Sequence, residues 1–361
     1  MSSEINRRFF IRQTLATLTG AAALSTGLTA CSTLDNYLFD DHYDLKDQVL
    51  IIGGGISGLY LAYLLKQSKT EFRLLEGSNR FGGRIRSAQN YDLGASLYSN
   101  EDKLLKTLLN DFLINSESLD KKNFFIPNGM ESVVSSLVDR ISGLMPYRNL
   151  RLQWRAISIR KIDSSYEIVF KNPRGHRTFV CKRVVFALPP SQWSSIAGLL
   201  QLEELNEIKA WMPSLKSENI LKVAFPLPHP ARQNTDIKNI LTFEDSLFEA
   251  RQVIKKTKGL MWSEVDFRFS ESGRTLELEK LNEFMKRKMN LNVNFNRLTS
   301  ENYFDWKSTE LIGAAYFKNA LPWPALKNSD LQMIGDFATW QNPHTLEGAL
   351  NSARSAFDKI I

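Results

Sequence analysis

Gln48-Val49-Leu50-Ile51-Ile52-Gly53-Gly54-Gly55-Ile56-Ser57-Gly58 is the stretch whose reading decides the fold. Residues 48–52 are a short apolar run of the kind buried in a parallel sheet. The glycines follow at once. Gly53 permits a tight turn, Gly55 lets backbone approach a pyrophosphate, and Gly58 lets a helix pack close to the strand. The sequence then runs helical and largely apolar from Ser57 to about Lys66. With Ile56 and Ser57 at its start, that helix aims free amide N–H groups at phosphates. A second strand over Glu71–Leu75 ends at Glu76, 18 residues beyond Gly58, where a carboxylate would accept hydrogen bonds from ribose hydroxyls. A glycine motif alone is weak evidence. With a strand before it, a helix after it and an acid at this distance, it predicts a dinucleotide-binding βαβ unit. The acid would repel a ribose phosphate, which disfavours NADP; NAD and FAD both remain open at this point.

The next segment separates them. Arg80-Phe81-Gly82-Gly83-Arg84 follows Glu76 closely, and this element resembles the flavin-containing amine oxidases and their relatives, among them monoamine, polyamine and L-amino-acid oxidases, protoporphyrinogen oxidases and phytoene desaturases. The resemblance implies non-covalent FAD, with backbone approaching at Gly83 and the Arg84 fork neutralising pyrophosphate bidentately. Tyr91-Asp92-Leu93-Gly94-Ala95-Ser96 is similar to the family segment whose backbone, at Gly94, Ala95 and Ser96, passes the flavin. Pro127-Asn128-Gly129-Met130 resembles the turn before a family helix, with Asn128 in place of a glycine. Leu150 to Ile159 resembles the strand that meets the adenine, with Ala156 where the family usually has valine. Val184 to Pro190 resembles the strand leaving for the substrate domain. Ile334-Gly335-Asp336 and Glu347 to Ser352 resemble the closing motif. There the resemblance puts Asp336 on the ribityl chain, one methylene shorter than the family's glutamate, and the Leu346 amide on the pyrimidine carbonyl. No cysteine lies in that motif, hence the expectation that FAD is not covalently bound.

The resemblance also names a reactive side chain. Asn219 to Phe225 is similar to the strand bearing the family's active-site lysine, which puts Lys222 against the flavin. A lysine inside an apolar run needs a partner or a depressed pKa; the competing reading is a strand-end lysine facing solvent. Amine-oxidising members flank the flavin with aromatic rings. Here the matching position is Thr345, beside His344, and Trp340, Trp323 and Tyr316 are candidates nearby, each equally at home in a core. Only about 33 residues separate the Asp92 segment from Gly129, where the family commonly inserts a large helical part of the substrate domain, so a more open or differently roofed cavity is expected. The expected fold class is α/β: an FAD/NAD(P)-binding Rossmann-like domain of the GR2 type over 47–97, 128–188 and 322–361, interleaved with an α+β substrate domain over 98–127 and 189–321. Helices are expected over Glu203–Ala210 and Glu277–Lys288.

Composition bounds the rest. The chain has 361 residues, 43% hydrophobic and 24% charged, with a formal net charge of +7 and no long run of like charges, so a nucleic-acid partner has little support. Two cysteines (Cys31, Cys181) and four scattered histidines make neither a disulfide framework nor a metal site at ligand spacing. At the N-terminus, Arg7 and Arg8 precede an uncharged stretch of 17 residues, Thr14–Ala30, too short and too weakly apolar to span a bilayer readily. The paired arginines resemble a twin-arginine export signal. Leu28-Thr29-Ala30-Cys31 resembles a lipobox, which implies a lipid on Cys31, a tether over 32–46, and attachment to the periplasmic face of a bacterial membrane. A plain membrane anchor and a non-exported amphipathic tail are the competing readings. Three functions are open: an amine or amino-acid oxidase using oxygen, a flavin desaturase or dehydrogenase passing electrons to a quinone or partner protein, and an FAD-binding lipoprotein without amine oxidase activity.

Overall fold

In a computed structural model of the chain, the described residues are 42–88, 91–143, 149–212, 217–227, 239–244, 249–257, 260–269, 278–291, 303–305, 316–317, 330–339, 342 and 344–361. The chain divides into two units, Met1–Tyr43 and Asp44–Ile361. Of the first, only His42 and Tyr43 are described, so the expected export signal and Cys31 lie outside the described residues, as do Trp323 and Trp340. The second unit holds every element named below.

That unit opens with β1 (Val49–Ile52), α1 (Ile56–Gln67) and β2 (Phe72–Glu76), followed by α2 (Lys103–Asp111) and α3 (Glu131–Ser142). β3 (Leu150–Leu152) leads into an antiparallel set, β4 (Arg155–Ile162), β5 (Ser165–Asn172) and β6 (Gly175–Cys181), and then to β7 (Arg183–Phe186). After the short α4 (Asn206–Trp211) come β8 (Ser217–Pro226), β9 (Ile240–Glu244), β10 (Glu249–Thr257), β11 (Leu260–Phe269), α5 (Leu278–Met289) and β12 (Tyr303–Asp305). β13 (Leu331–Met333) and α6 (Leu346–Ile360) close the chain. Two sheets organise it. One is five-stranded and parallel, ordered β13-β7-β1-β2-β3. The other has six strands paired antiparallel, ordered β9-β10-β11-β8-β12, with Tyr316–Phe317 also on β8.

The reasons are local first. β1 is buried along its whole length, as a central parallel strand must be. α1 is apolar nearly all round and lies between that sheet and helices α3 and α6. Leu59, Leu61 and Leu65 are fully buried in it, each contributing about 1.5–3 kcal/mol of apolar burial. α2 adds Leu105, Leu108 and Leu109 to the same core. Its first amides are held by a buried carboxylate from α6: the N–H groups of Leu104 and Leu105 donate to Glu347 Oε1 and Oε2 at 2.9 and 3.0 Å. In the second sheet, period-two alternation splits the faces. Leu221, Val223, Ala250, Val265 and Phe267 pack on Leu281, Phe284, Met285 and Met289 of α5. The opposite face carries Lys222, Glu264 and Asp266.

One segment departs from its sequence reading. Residues 150–159 do not form a single strand: β3 joins the parallel sheet and β4 another, with the break at Gln153, whose φ is +64°. The amides of Gln153 and Trp154 turn back to the carbonyls of Ser78 and Glu76, at 2.8 Å each, so the backbone finds partners in the turn after β2 and leaves the sheet. The observed fold class is the expected one, α/β with a Rossmann-like unit and a second, antiparallel part.

Candidate functional site

The turn between β1 and α1 is built by close approach. A Cβ on Gly58 would sit 2.1 Å from the Gly53 carbonyl oxygen, so only glycine lets α1 lie this near the strand. A Cβ on Gly55 would meet nothing within 4 Å; it would project into a cavity lined by Gly53, Gly55, Ile56, Ser57, Gly83 and Arg84. Gly55 is the N-cap of α1 and supplies no side-chain cap. The first turn therefore offers backbone N–H groups and the positive end of the helix dipole to that space. Glu76 closes the far side of the turn. Its Oε2 accepts from Gly54 N–H at 2.6 Å and its Oε1 from Ser78 N–H at 2.7 Å. A carboxylate has about four lone-pair sites, so this fixes the group and leaves capacity for further donors. Ala156 lies on β4, buried, in a smaller adjoining hollow with Glu76, Trp154 and Arg155.

Arg80, which sequence reading passed over, shapes the glycine loop. Its guanidinium donates to the carbonyls of Phe81, Gly83 and Ile85 at 3.1, 2.6 and 2.8 Å. Arg84 points into the cavity and is paired there. Its Nη1 donates to Asp336 Oδ2 at 3.0 Å, and its Nη2 donates to Asp336 Oδ1. The sequence reading gave these two residues separate tasks; the fold joins them across 252 positions. Gly94, Ala95 and Leu346 line the same cavity, whereas Ser96 is half-buried outside it and Gly58 lies beneath it.

Lys222 enters the cavity from the second sheet and is 2% exposed. The solvent-facing alternative is thereby excluded. Its Nζ donates to the Gly94 carbonyl at 2.9 Å and lies 3.3 Å from Asp266 Oδ1 and 3.5 Å from Glu264 Oε2. Behind it sits a second buried lysine, Lys255, which bridges Asp92 Oδ2 at 2.8 Å and Glu264 Oε1 at 2.9 Å. Glu264 Oε1 also accepts from Asp92 N–H and from the Trp262 indole N–H. Asp92 Oδ1 accepts from Ser87 Oγ–H at 2.6 Å and Met130 N–H at 2.8 Å. Burial works to raise the pKa of both acids. At Glu264 the two lysines overcome it and hold the carboxyl below its ordinary value; at Asp92 burial, with Glu264 adding, outweighs Lys255 and the carboxyl is pushed up.

The C-terminal wall comes from the segment before α6. Thr345 is a helix cap: its Oγ1 accepts from Gly348 N–H at 3.0 Å. A hydroxyl engaged there supplies no aromatic face. His344 lines the cavity with a φ of +63°, held by its N–H to the Asp336 carbonyl at 2.9 Å. Burial draws the imidazole pKa down, against the pull of Asp336 and with the push of Arg84. Tyr316 is described only as strand backbone paired with β8.

Residues 51–112 match the family described as NAD(P)-binding Rossmann-like domain. The fold of this part of the chain is Rossmann-like. An L-amino-acid oxidase of Siganus canaliculatus is 30% identical over 138 residues, 32% of this chain and 25% of that protein. One from Vipera ammodytes ammodytes is 28% identical over 109 residues, 27% of this chain and 22% of that protein. The chain thus spans about a quarter of the length of the curated relatives it matches. Among solved structures, a putrescine oxidase bound to putrescine superposes with a TM-score of 0.65 at 12% identity, covering 87% of this chain and 99% of the other. Cyclohexylamine oxidase from Brevibacterium oxydans gives 0.68 at 12% identity, covering 87% and 98%. At that identity the likeness is one of fold, and it extends beyond the Rossmann-like segment to nearly the whole chain.

Proposed function

We propose that this chain is an FAD-dependent oxidoreductase of the amine-oxidase type, oxidising an amine or amino acid with oxygen as electron acceptor. One observation carries the reading: a lysine from the antiparallel sheet and a glycine-floored cradle from the parallel sheet line one cavity. The cradle's chemistry suits a dinucleotide. The start of α1 would hold the pyrophosphate, Glu76 the ribose hydroxyls, and Arg84 would add positive charge once shared between Asp336 and phosphate. Bound non-covalently there, FAD would supply an acceptor for a hydride from the substrate carbon. Lys222 keeps a proton donor at the cavity wall, and its carboxylate neighbours hold that ammonium in place. The test is a visible spectrum of the purified protein, release of free FAD on denaturation, and hydrogen peroxide release across a panel of amines and amino acids. A colourless protein that takes up no added flavin ends the reading.

A second reading has its own support. Thr345 caps a helix where amine-oxidising relatives place a ring, which favours a flavin dehydrogenase that passes electrons to a quinone or partner protein. Flavin that bleaches with substrate yet reoxidises slowly in air would select it. We also place the protein on the periplasmic face of a bacterial membrane, exported through its paired arginines and held by lipid on Cys31. Cys31→Ala should move it from the membrane to the soluble fraction; unchanged partitioning would refute the anchor.

A further inference from the structure

We infer that Asp266 anchors the ammonium group of a cationic substrate, and that this substrate carries no carboxylate beside its amine. The inference rests on the oxidoreductase reading and narrows its substrate class.

Asp92, Glu264, Lys255 and Lys222 form a linked cluster of two acids and two lysines, with side chains between 0% and 2% exposed. Taken as ions, these four balance. Asp266 is the fifth charged member, 3.3 Å from Lys222, and it differs in two ways. Its side chain keeps 19% of its surface, and it lies on the cavity wall. Lys222 is already shared among the Gly94 carbonyl, Glu264 and Asp266. Glu264 Oε2, fully buried and facing Lys222, accepts no hydrogen bond among the described residues, so the surroundings of that ammonium hold more acceptor than donor. Asp266 makes its one close polar contact among the described residues through Oδ1. Among the described residues, Oδ2 is left to a ligand.

The rest of the cavity says what that ligand is. Glu76, Arg84 and Asp336 on its lining belong to the cradle; apart from these, the lining holds the carboxylate of Asp266 beside the ammonium of Lys222. Glu76 is fixed by two backbone amides and Asp336 by Arg84. Arg251, opposite Asp266 on β10, stands within electrostatic reach of the exposed Asp120. An incoming ammonium gains a charge-assisted hydrogen bond from Asp266. An incoming carboxylate meets Asp266 as a like charge, and both lining cations already face carboxylates. Ile220 and Phe337 on the same walls suit an apolar substituent beside the amine. The site thus reads a lone cation and rejects a zwitterion, unlike the amino acids named for the relatives matched in sequence.

Benzylammonium, L-phenylglycine and benzyl alcohol separate these terms, since phenylglycine is benzylamine bearing an α-carboxylate and the alcohol lacks the charge. Each is titrated by calorimetry into the purified protein with the flavin it carries; the visible spectrum records flavin content independently, so absence of flavin and absence of ammonium binding are distinct results. The wild type should bind benzylammonium saturably and phenylglycine at least tenfold more weakly. Asp266→Asn should weaken benzylammonium about tenfold or more and leave benzyl alcohol unchanged. Asp266→Glu should recover part of the loss, and an unshifted thermal midpoint in both variants shows that the fold is intact. Equal benzylammonium affinity in wild type and Asp266→Asn overturns the inference. So does phenylglycine bound as tightly as benzylammonium, or a wild type that binds no benzylammonium.

Discussion

Two of the cavity's walls are made on opposite principles. The cradle at β1 and α1 is backbone: glycines, free amides and one acid fixed by main-chain donors. The wall at the second sheet is side chain: four ionisable groups of that sheet and Asp92 packed against it, linked from Asp92 to Asp266, four of the five sealed from water. A backbone wall is specified by what must be absent, and it tolerates most neighbours. A charged wall is specified by what must all be present, because each buried ion is stable only beside its partner. Under the proposed function, the first would bind whatever has the right shape and phosphate charge, and the second would set local charge and hence which substrate end can approach.

The largest test strikes the charged wall. Lys255 is fully buried between Asp92 and Glu264. Lys255→Met would leave two carboxylates without their shared cation, at a cost of about 3–5 kcal/mol in urea unfolding. Adding Glu264→Gln to that variant removes one stranded charge and should return part of the loss. If Lys255→Met costs under about 1 kcal/mol, as a surface pair would, the contrast between the walls fails.

A pair of alanine substitutions divides the cradle itself. At Gly58 the new methyl would lie 2.1 Å from Gly53 O and 3.1 Å from the Ala187 Cβ, so helix and strand must part. Gly58→Ala should cost about 1–3 kcal/mol of stability and flavin retention with it. At Gly55 the methyl meets nothing in the fold. Gly55→Ala should leave stability within about 0.5 kcal/mol, yet lower flavin retention on gel filtration at least tenfold, because the methyl occupies ligand space. Two variants with the same profile would mean that the space above Gly55 is not where the ligand sits.

The two walls also differ in how far sequence reveals them. The cradle was legible because its grammar is local: a buried run, glycines at set spacing, a helix and Glu76 within thirty residues. Lys222 was legible as a lysine in an apolar strand. Its neighbours were half-written, since Glu264 and Asp266 alternate with Val265 and Phe267 and so mark a strand with acids on one face. Nothing local pairs Asp92 with Lys255, 163 positions on, or Arg84 with Asp336. Those meetings are made by the packing of whole sheets. The break at Gln153 was equally hidden, because a glutamine at positive φ is chosen by the carbonyls it can reach and carries no composition signal of its own.

The smallest effect lies on the third wall, where His344 stands beside Asp336 and Arg84. Burial lowers its pKa from the ordinary value near 6.5, so the folded protein refuses a proton that the unfolded chain accepts. The sign follows. Above that ordinary value both states are neutral at this residue and it contributes no pH dependence. As pH falls below it, the unfolded state gains the proton first, and stability declines until the folded-state pKa is passed. His344→Gln removes this titration. Urea midpoints measured between about pH 7.5 and about pH 5.5 should therefore fall less steeply with acid in the variant. Matching slopes would show that the neighbouring Asp336 carboxylate offsets burial. The ring would then behave as a surface histidine, and this wall would belong with neither of the other two.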